Sequence, residues 1–310
     1  MIKKKELIKP KAIIILGPTA SGKTALAVRL AAKLSGEIIS ADSRQVYRGM
    51  DIGTGKDLAE YQVGRKKIPY HLIDIISPNT KFNLARYQKL AYKAIGEVVK
   101  RGNLPFVVGG SGLYLQAVAD NYVLAPVKED KEKRKELEAK SVLELFSMLL
   151  ELKPEFASKL NNSDKNNKRR LVRYLEITSQ DNNFSASRSE APYDFLILGL
   201  DISDEKMKEK IERRLDLRLE KEGLIEEVRR LHKEGVSYPR LISFGLEYKF
   251  ISSFLQGKLT RIEMQDKLVT AIYRFAKRQK TWFRRWEKQG KKIVWVKDIA
   301  EAKEIIKQFI

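Results

Sequence analysis

The sequence predicts an α/β fold, a parallel sheet flanked by helices, with a small all-helical insertion domain. Three observations predict it. The apolar run at residues 12–16 leads directly into Gly17-Pro18-Thr19-Ala20-Ser21-Gly22-Lys23-Thr24, and a helix-forming stretch, 25–34, follows. Strand-like and helix-like segments alternate through the first 120 residues, the pattern of parallel strands with helices on both faces. After about residue 123 the strand pattern stops, and charged or amphipathic helical segments run to about residue 190.

The first element, strand 13–16, opens the pattern G-x-x-x-x-G-K-[ST] in its required context of strand, loop and helix. This makes the sheet P-loop NTPase-like. Gly17 and Gly22 let the backbone bend so that successive N–H groups, from Thr19 through Ala20 and Ser21 to Thr24, can face an anion. The helix N-terminus adds partial positive charge. Lys23 supplies a full charge, and Thr24 offers a hydroxyl to a metal ion. The loop implies a diphosphate or triphosphate; it does not say what is done with it.

A second strand, 37–40, ends in Ser40-Ala41-Asp42-Ser43-Arg44-Gln45-Val46-Tyr47. In open α/β sheets this edge is where ligands bind. Asp42 there can be a general base or a metal ligand, or Asp42 or Ser43 can simply cap a following helix. Short buried runs follow at 71–75 and 106–108. Between them 82–101 reads as a helix, with Leu84, Tyr87, Leu90, Ala91, Ala94 and Val98 near helical spacing. Gly109-Gly110-Ser111-Gly112-Leu113-Tyr114 comes next. Ser111 can donate to a phosphate oxygen at the ligand edge, or the segment is a glycine-rich turn into a helix.

Residues 129–140 are almost all charged, 142–152 form an amphipathic helix, 161–167 are a polar break, 168–177 a helix and 181–191 a polar linker. A strand at 195–200 returns to the sheet. From residue 205 the chain is mostly helical and ends in a strand, 293–296, and a helix, 300–309. The expected organisation is a core of 11–122 and 191–310, with 123–190 inserted.

Hydrophobic content of 43% with 33% charge is that of a soluble globular chain. No apolar run approaches the length of a membrane span. Lys3-Lys4-Lys5 precedes an apolar stretch of only five residues that runs into the phosphate loop, which argues against a signal peptide. The absence of cysteine excludes a disulfide framework, a thiolate zinc site and a cysteine nucleophile. Two histidines, His71 and His232, argue against a histidine-built metal site. A cytoplasmic monomer is expected.

A net charge of +21, from 61 Lys and Arg against 40 Asp and Glu, predicts a polyanionic partner, nucleic acid above all; a lysine-rich surface serving solubility is the alternative. Lys168-Arg169-Arg170 with Arg173, and Arg213, Arg214 and Arg218, form two cationic clusters. Each suits phosphate oxygens or is a solvated basic face. Residues 273–292 hold nine Lys or Arg and one acid. Arg274, Lys277, Arg278, Thr281, Arg285 and Lys288 share one helical face, and Phe275, Gln279, Trp282 and Trp286 the other. One face packs while the other meets phosphates.

These residues resemble the tRNA dimethylallyltransferase (tRNA isopentenyltransferase) family. The resemblance rests on the phosphate loop, on Ser40 to Tyr47 with Gly49-Met50-Asp51-Ile52-Gly53-Thr54-Gly55-Lys56, and on His71-Leu72-Ile73-Asp74. It continues in Gly109 to Tyr114, in Arg170-Leu171-Val172-Arg173-Tyr174-Leu175-Glu176, in Gly223-Leu224-Ile225-Glu226-Glu227-Val228, and in Ala276-Lys277-Arg278-Gln279-Lys280-Thr281-Trp282-Phe283-Arg284. It covers most of 11–286, and the second and last blocks are far more specific than the phosphate loop.

The resemblance implies transfer of a dimethylallyl group from dimethylallyl diphosphate to N6 of the adenosine 3′ of the tRNA anticodon (position 37), assisted by Mg2+, with diphosphate leaving. It implies Asp42 as the base, and Lys23, Thr24 with magnesium, Ser111 and Arg214 as groups that neutralise the departing diphosphate. Ser43, Arg44 and Gln45, then Arg134, Arg169, Arg170 and Arg173 of the insertion, and finally Lys277, Arg278, Gln279, Thr281, Trp282 and Arg284 would grip the anticodon stem–loop. The chain departs from the family at Ser111 (usually threonine), Asn167-Lys168 (Asp-Pro), Gly245-Leu246 (Gly-Tyr) and Ile272-Tyr273 (Thr-Arg). The last three are expected on the RNA-binding side. A kinase of a nucleoside, metabolite or RNA end, an adenylate isopentenyltransferase and a non-catalytic RNA-binding protein are the rival readings. The loop and Asp42 suit a kinase equally, but the basic aromatic helix and the block from Asp42 to Tyr47 argue against it; the basic C-terminal region argues against the second, and intact Asp42, Lys23 and Thr24 against the third.

Overall fold

The computed structural model of the chain describes residues 9–124, 130–180 and 189–310. In chain order it contains β1 (Lys11–Leu16), α1 (Lys23–Lys33), β2 (Gly36–Ser40), β3 (Gln62–Val63), β4 (Lys66–Lys67), β5 (Tyr70–His71), α2 (Leu84–Lys100), β6 (Leu104–Gly109) and α3 (Gly112–Ala119). Then come α4 (Lys131–Ala139), α5 (Val142–Leu152), α6 (Pro154–Ser158), α7 (Asn162–Lys165) and α8 (Lys168–Gln180). The chain ends with β7 (Asp194–Gly199), α9 (Asp204–Glu220), α10 (Leu224–Lys233), α11 (Tyr238–Ser243), α12 (Leu246–Leu255), α13 (Arg261–Lys288), β8 (Val294–Trp295) and α14 (Ile299–Phe309).

The chain divides into two compact units, one drawn from residues up to Asp120 together with Ala191–Ile310, the other Asn121–Glu190. In the first unit a sheet runs in the order β5-β2-β6-β1-β7-β8, and every pair is parallel. β1 sits between β6 and β7 and is buried at all but its first position. Such a strand reads as an unbroken apolar run because both faces of a parallel sheet are covered. Ile13 and Ile15 pack on one side with Leu26, Leu30 and Phe106. Ala12, Ile14 and Leu16 pack on the other with Tyr87, Leu115 and Trp286. A third apolar cluster joins α9, α10, α12 and α13 through residues such as Leu215, Val228, Ile251 and Leu268.

Strand boundaries differ from the sequence reading where backbone geometry intervenes. The run 71–75 pairs with β2 only at Tyr70 and His71. Leu72 and Asp74 then take left-handed φ values of 62° and 56°, which no strand accommodates. The hairpin β3–β4 was not expected, because Gln62, Val63, Lys66 and Lys67 are all exposed and carry no apolar alternation. β8 is only two residues long, and α8 continues past Ile177 to Gln180.

The second unit is helical among its described residues and has its own core, in which Leu145, Leu149, Leu171, Val172 and Leu175 meet. Lys3-Lys4-Lys5, Glu129 and most of the polar linker 181–191 lie outside the described residues. Among the described residues, no helix is long and apolar enough to cross a membrane.

Candidate active site

The phosphate loop connects β1 to α1, and α1 begins at Lys23. The first amides of a helix have no carbonyl within it to bond, so here they open onto the C-terminal edge of the sheet. A cavity of about 110 Å³ lies there, lined by Thr24, Lys23, Asp42, Arg214, Arg218 and Gln279 among others. Burial pushes the Lys23 ammonium down to about 8, against the pull of Asp42 and with the push of Arg214. Burial and the neighbouring Arg218 charge hold Arg214 down at about 10, so its guanidinium stays cationic at neutral pH. Glu60 also lines the cavity; burial and Asp57 raise its carboxyl above the usual range.

Asp42 follows β2 and Ser111 follows β6, and these strands are neighbours. A Cβ on Gly109 would lie 2.2 Å from the Ala41 carbonyl oxygen, so only glycine allows the two turns to approach this closely. The Ser43 N–H donates to Ser111 Oγ at 3.3 Å. Asp42 caps no helix: its Oδ1 accepts from the Arg44 N–H at 2.9 Å within a turn. A second cavity of about 800 Å³ lies beyond, lined by Asp42, Ser43, Ser111, Lys249, Arg274 and Arg278 among others. Asp42 and Arg44 line both cavities. A carboxylate therefore stands where a pocket lined by the phosphate loop meets a wider groove in which Arg44, Lys249, Lys267, Arg274 and Arg278 outnumber Asp42 and Asp266.

Other expected residues are placed differently. Gln279, expected at the RNA, is buried, and Trp282, also expected there, is half-buried. Gln279 is 7% exposed; its Oε1 accepts from the Thr19 N–H and its Nε2 donates to the Gly110 carbonyl, both at 2.8 Å. Trp282 Nε1 donates to Gln116 Oε1 at 3.2 Å. Their positions on the buried side of α13 follow from its 3.6-residue period. The Thr19 amide is thus engaged within the protein, while Thr19 Oγ1 accepts from Arg214 Nη2 at 2.7 Å. Gln45 is committed too, accepting from Ser40 Oγ and donating to the Gly55 carbonyl. Arg44 is ion-paired at 2.6 Å to Glu247. Burial opposes its charge, but the Glu247 and Asp42 carboxylates outweigh burial and raise the guanidinium above its ordinary value.

Lys277, Arg278, Thr281 and Arg284 are exposed on the other face of α13. In the inserted unit Arg169 is exposed, Arg170 pairs with Asp164, and Arg134 and Arg173 both reach the buried Glu176, at 3.4 and 3.3 Å. Two of the departures border the phosphate-loop cavity: Ile272 lines it, and Leu246 lines both it and the wider cavity. Phe275 lies with them, so an otherwise polar pocket has one apolar wall.

Several residues that shape the site stand in the sequence only as part of a cationic cluster (Arg218) or of the blocks that carry the family resemblance (Lys56, Glu227). Arg218 is 4% exposed and faces the cavity four residues after Arg214 on α9; that spacing was the available signal. Glu227 accepts from the backbone N–H groups of Asp51, Ile52 and Gly53 and from the Tyr248 hydroxyl. Lys56, 1% exposed, donates to the Tyr47 carbonyl and to Asp51 and Asp74. Nothing local marks Glu227: its backbone partners are more than 170 residues away, and Tyr248 is 21 away.

A family model described as IPP transferase matches residues 45–286. The chain is 46% identical over 299 residues to tRNA dimethylallyltransferase 1 of Syntrophus aciditrophicus, covering 95% of this chain and 97% of the relative. It is 48% identical over 285 residues to tRNA dimethylallyltransferase 2 of Bacteroides fragilis, covering 92% of each. The full-length tRNA isopentenylpyrophosphate transferase of Bacillus halodurans superposes with a TM-score of 0.69 at 38% identity, over 97% of this chain and 95% of that one. A eukaryotic dimethylallyltransferase captured acting on tRNA gives 0.73 at 27% identity, over 88% and 69%. By sequence and by fold, the chain belongs to the IPP transferase family of tRNA dimethylallyltransferases.

Proposed function

We propose that this protein transfers a dimethylallyl group from dimethylallyl diphosphate to N6 of the adenosine next to the anticodon of tRNA, at position 37, as a cytoplasmic monomer. The observation that carries this reading is the place of Asp42 between the phosphate cavity and the cationic groove. A phosphoryl-transfer enzyme also needs a base near a phosphate loop, but it has no need for an apolar wall beside it. Leu246, Ile272 and Phe275 suit a five-carbon allyl chain.

The diphosphate sits on the amides of Ala20 to Thr24, with Lys23, Arg214 and Arg218 around it. Electrostatic preorganisation of this kind favours charge that develops as a leaving group departs. The adenosine enters from the groove, flipped out of its stack. Its N6 lone pair forms the new bond to C1 of the allyl group as the C1–O bond breaks, and that electron pair leaves on diphosphate. Asp42 takes the N6 proton. The amine is weakly nucleophilic because its lone pair is delocalised into the ring, so a positioned base contributes directly. Ser111 donates a hydrogen bond from its hydroxyl to the departing diphosphate oxygen and keeps its proton.

Mg2+ fits this donor set in one way. Among the described residues no group of three or more His, Asp or Glu side chains could cage a metal. A hard cation that keeps most of its waters needs only one or two protein oxygens, and Thr24 Oγ1, which lines the cavity, would supply one. When bound, the ion neutralises leaving-group charge. The inserted unit, residues 123–190 with Arg134, Arg169, Arg170 and Arg173, and the exposed face of α13 hold the anticodon stem–loop.

The test is mass spectrometry of nucleosides from unmodified tRNA incubated with the protein, magnesium and dimethylallyl diphosphate, beside a parallel reaction with ATP. A dimethylallyl gain on adenosine, absent with Lys23→Ala, is expected. A phosphate gain with ATP and no prenyl gain would replace this reading with the kinase. Asp42→Ala is expected to lose turnover by roughly 10²- to 10⁴-fold while keeping tRNA affinity in a filter-binding assay.

A further inference from the structure

Gln279 lies on α13, yet both ends of its amide bond to other segments. Its Oε1 takes the Thr19 N–H of the phosphate loop, and its Nε2 gives to the Gly110 carbonyl, the residue before Ser111. These partners are 260 and 169 residues away in sequence. The side chain is nearly inaccessible, at 7% exposure. The fit is close: a Cβ on Gly110 would lie 2.3 Å from Gln279 Nε2 and 3.2 Å from the Gly17 carbonyl oxygen. Lys280, the next residue, ties the same stretch of α13 to the end of the sheet through the Ile202 carbonyl, Asp201 and Asp204.

We infer that Gln279 is a positioning residue for the diphosphate site and not an RNA contact: its amide sets the distance between the phosphate loop and the turn that carries Ser111. This rests on the proposed function and deepens it. The chemistry requires glutamine. One end must accept an N–H and the other must donate to a carbonyl at the same reach. A primary amide presents an acceptor and a donor side by side at one reach, whereas a hydroxyl offers both from a single atom, neutral histidine splits them across its ring, and asparagine is shorter by a methylene. Thr19 is then held from two sides, by Gln279 through its backbone and by Arg214 through its hydroxyl. Losing the amide frees Thr19 and with it the partner of Arg214. The effect therefore falls on diphosphate and leaves the exposed basic face of α13 as it was.

The experiment titrates inorganic diphosphate with magnesium into RNA-free protein by calorimetry, for wild type, Gln279→Ala, Gln279→Glu and Lys23→Ala. Anticodon stem–loop binding is measured in parallel by fluorescence anisotropy, and steady-state kinetics give KM for dimethylallyl diphosphate. Both Gln279 variants are expected to bind diphosphate roughly tenfold more weakly, the scale of a broken buried hydrogen bond, with KM raised and stem–loop affinity unchanged. Glutamate keeps the volume and the acceptor but loses the donor, so it reports on the bond even where alanine lowers the melting temperature. Lower stem–loop affinity with unchanged diphosphate binding would overturn the inference in favour of an RNA contact. Equal losses of both in Gln279→Glu, or no change in either, would also overturn it. If wild type binds diphosphate no better than Lys23→Ala, the proposed function fails first.

Discussion

Lys23 carries its charge under opposition, and the sign of that opposition can be followed with pH. Its folded value of about 8 is below the ordinary lysine value of 10.5. Between those values the unfolded chain holds a proton that the folded chain does not, so this group makes stability rise with pH across that window. Below pH 8 its burial is a full cost to the fold. Lys23→Met is accordingly expected to melt a few degrees higher than wild type at pH 7, with the gap closing toward pH 10, while diphosphate binding is lost. In wild type, affinity for dimethylallyl diphosphate should fall as pH rises through 8, measured by calorimetry in the absence of RNA. Leu246 makes a second prediction. Its φ of 40° is strained for leucine, and it lines the cavity beside Ile272 and Phe275. Leu246→Ala removes part of that wall, so turnover of geranyl diphosphate relative to dimethylallyl diphosphate should rise roughly tenfold, the scale set by a few methylenes in an apolar pocket. An unchanged ratio would remove these side chains from chain-length selection. At this scale the sequence was partly legible. Lys23, Thr24 and Asp42 were readable because a motif fixes their geometry. Ile272 borders the phosphate-loop cavity and Leu246 borders both cavities; which cavity a helix residue faces depends on packing that local spacing does not encode.

Among the elements, α13 shows how periodicity fixes which face a residue takes without fixing what a polar side chain on that face bonds to. Met264, Leu268, Ile272, Ala276, Gln279, Phe283 and Trp286 form its buried stripe, spaced at three or four residues as an amphipathic helix requires. The sequence reading placed Gln279 on that packing face and still gave it to RNA, because a polar side chain in a buried stripe declares its partners only in three dimensions. The exposed face is a different matter. Arg278 and Arg284 project from it, and Arg284→Gln is expected to weaken binding of all tRNA sequences alike and to reduce the salt slope by about 1. Fluorescence anisotropy across a salt series measures this, and an unchanged slope would take Arg284 off the phosphate backbone. Short strands were the least legible elements. β5 stops where Leu72 turns left-handed, and β3–β4 is too exposed to carry an apolar signal.

For the whole molecule, the net charge of +21 and the alternating pattern of the first 120 residues gave class and partner type early. The order of the sheet was beyond the sequence, because β7 reaches β1 only after the inserted unit has been traversed. That traverse ends where it began. The Ser189 N–H donates to the Asn121 carbonyl at 3.1 Å, and Asn121 Nδ2 donates to Ser189 Oγ at 2.7 Å and to the Glu190 carbonyl at 3.0 Å. The helices between keep a core of their own, and the sheet keeps its own. The inserted unit is thus a cassette whose two ends meet each other. Replacing it with a short glycine linker from Asp120 to Ala191 should yield a smaller protein that still melts cooperatively and binds diphosphate in calorimetry, but holds the stem–loop weakly. Loop tips with adjoining ends are where such exchanges succeed. A lineage of these enzymes could trade one cassette for another, and so change which RNA it serves, without touching the chemistry at Asp42.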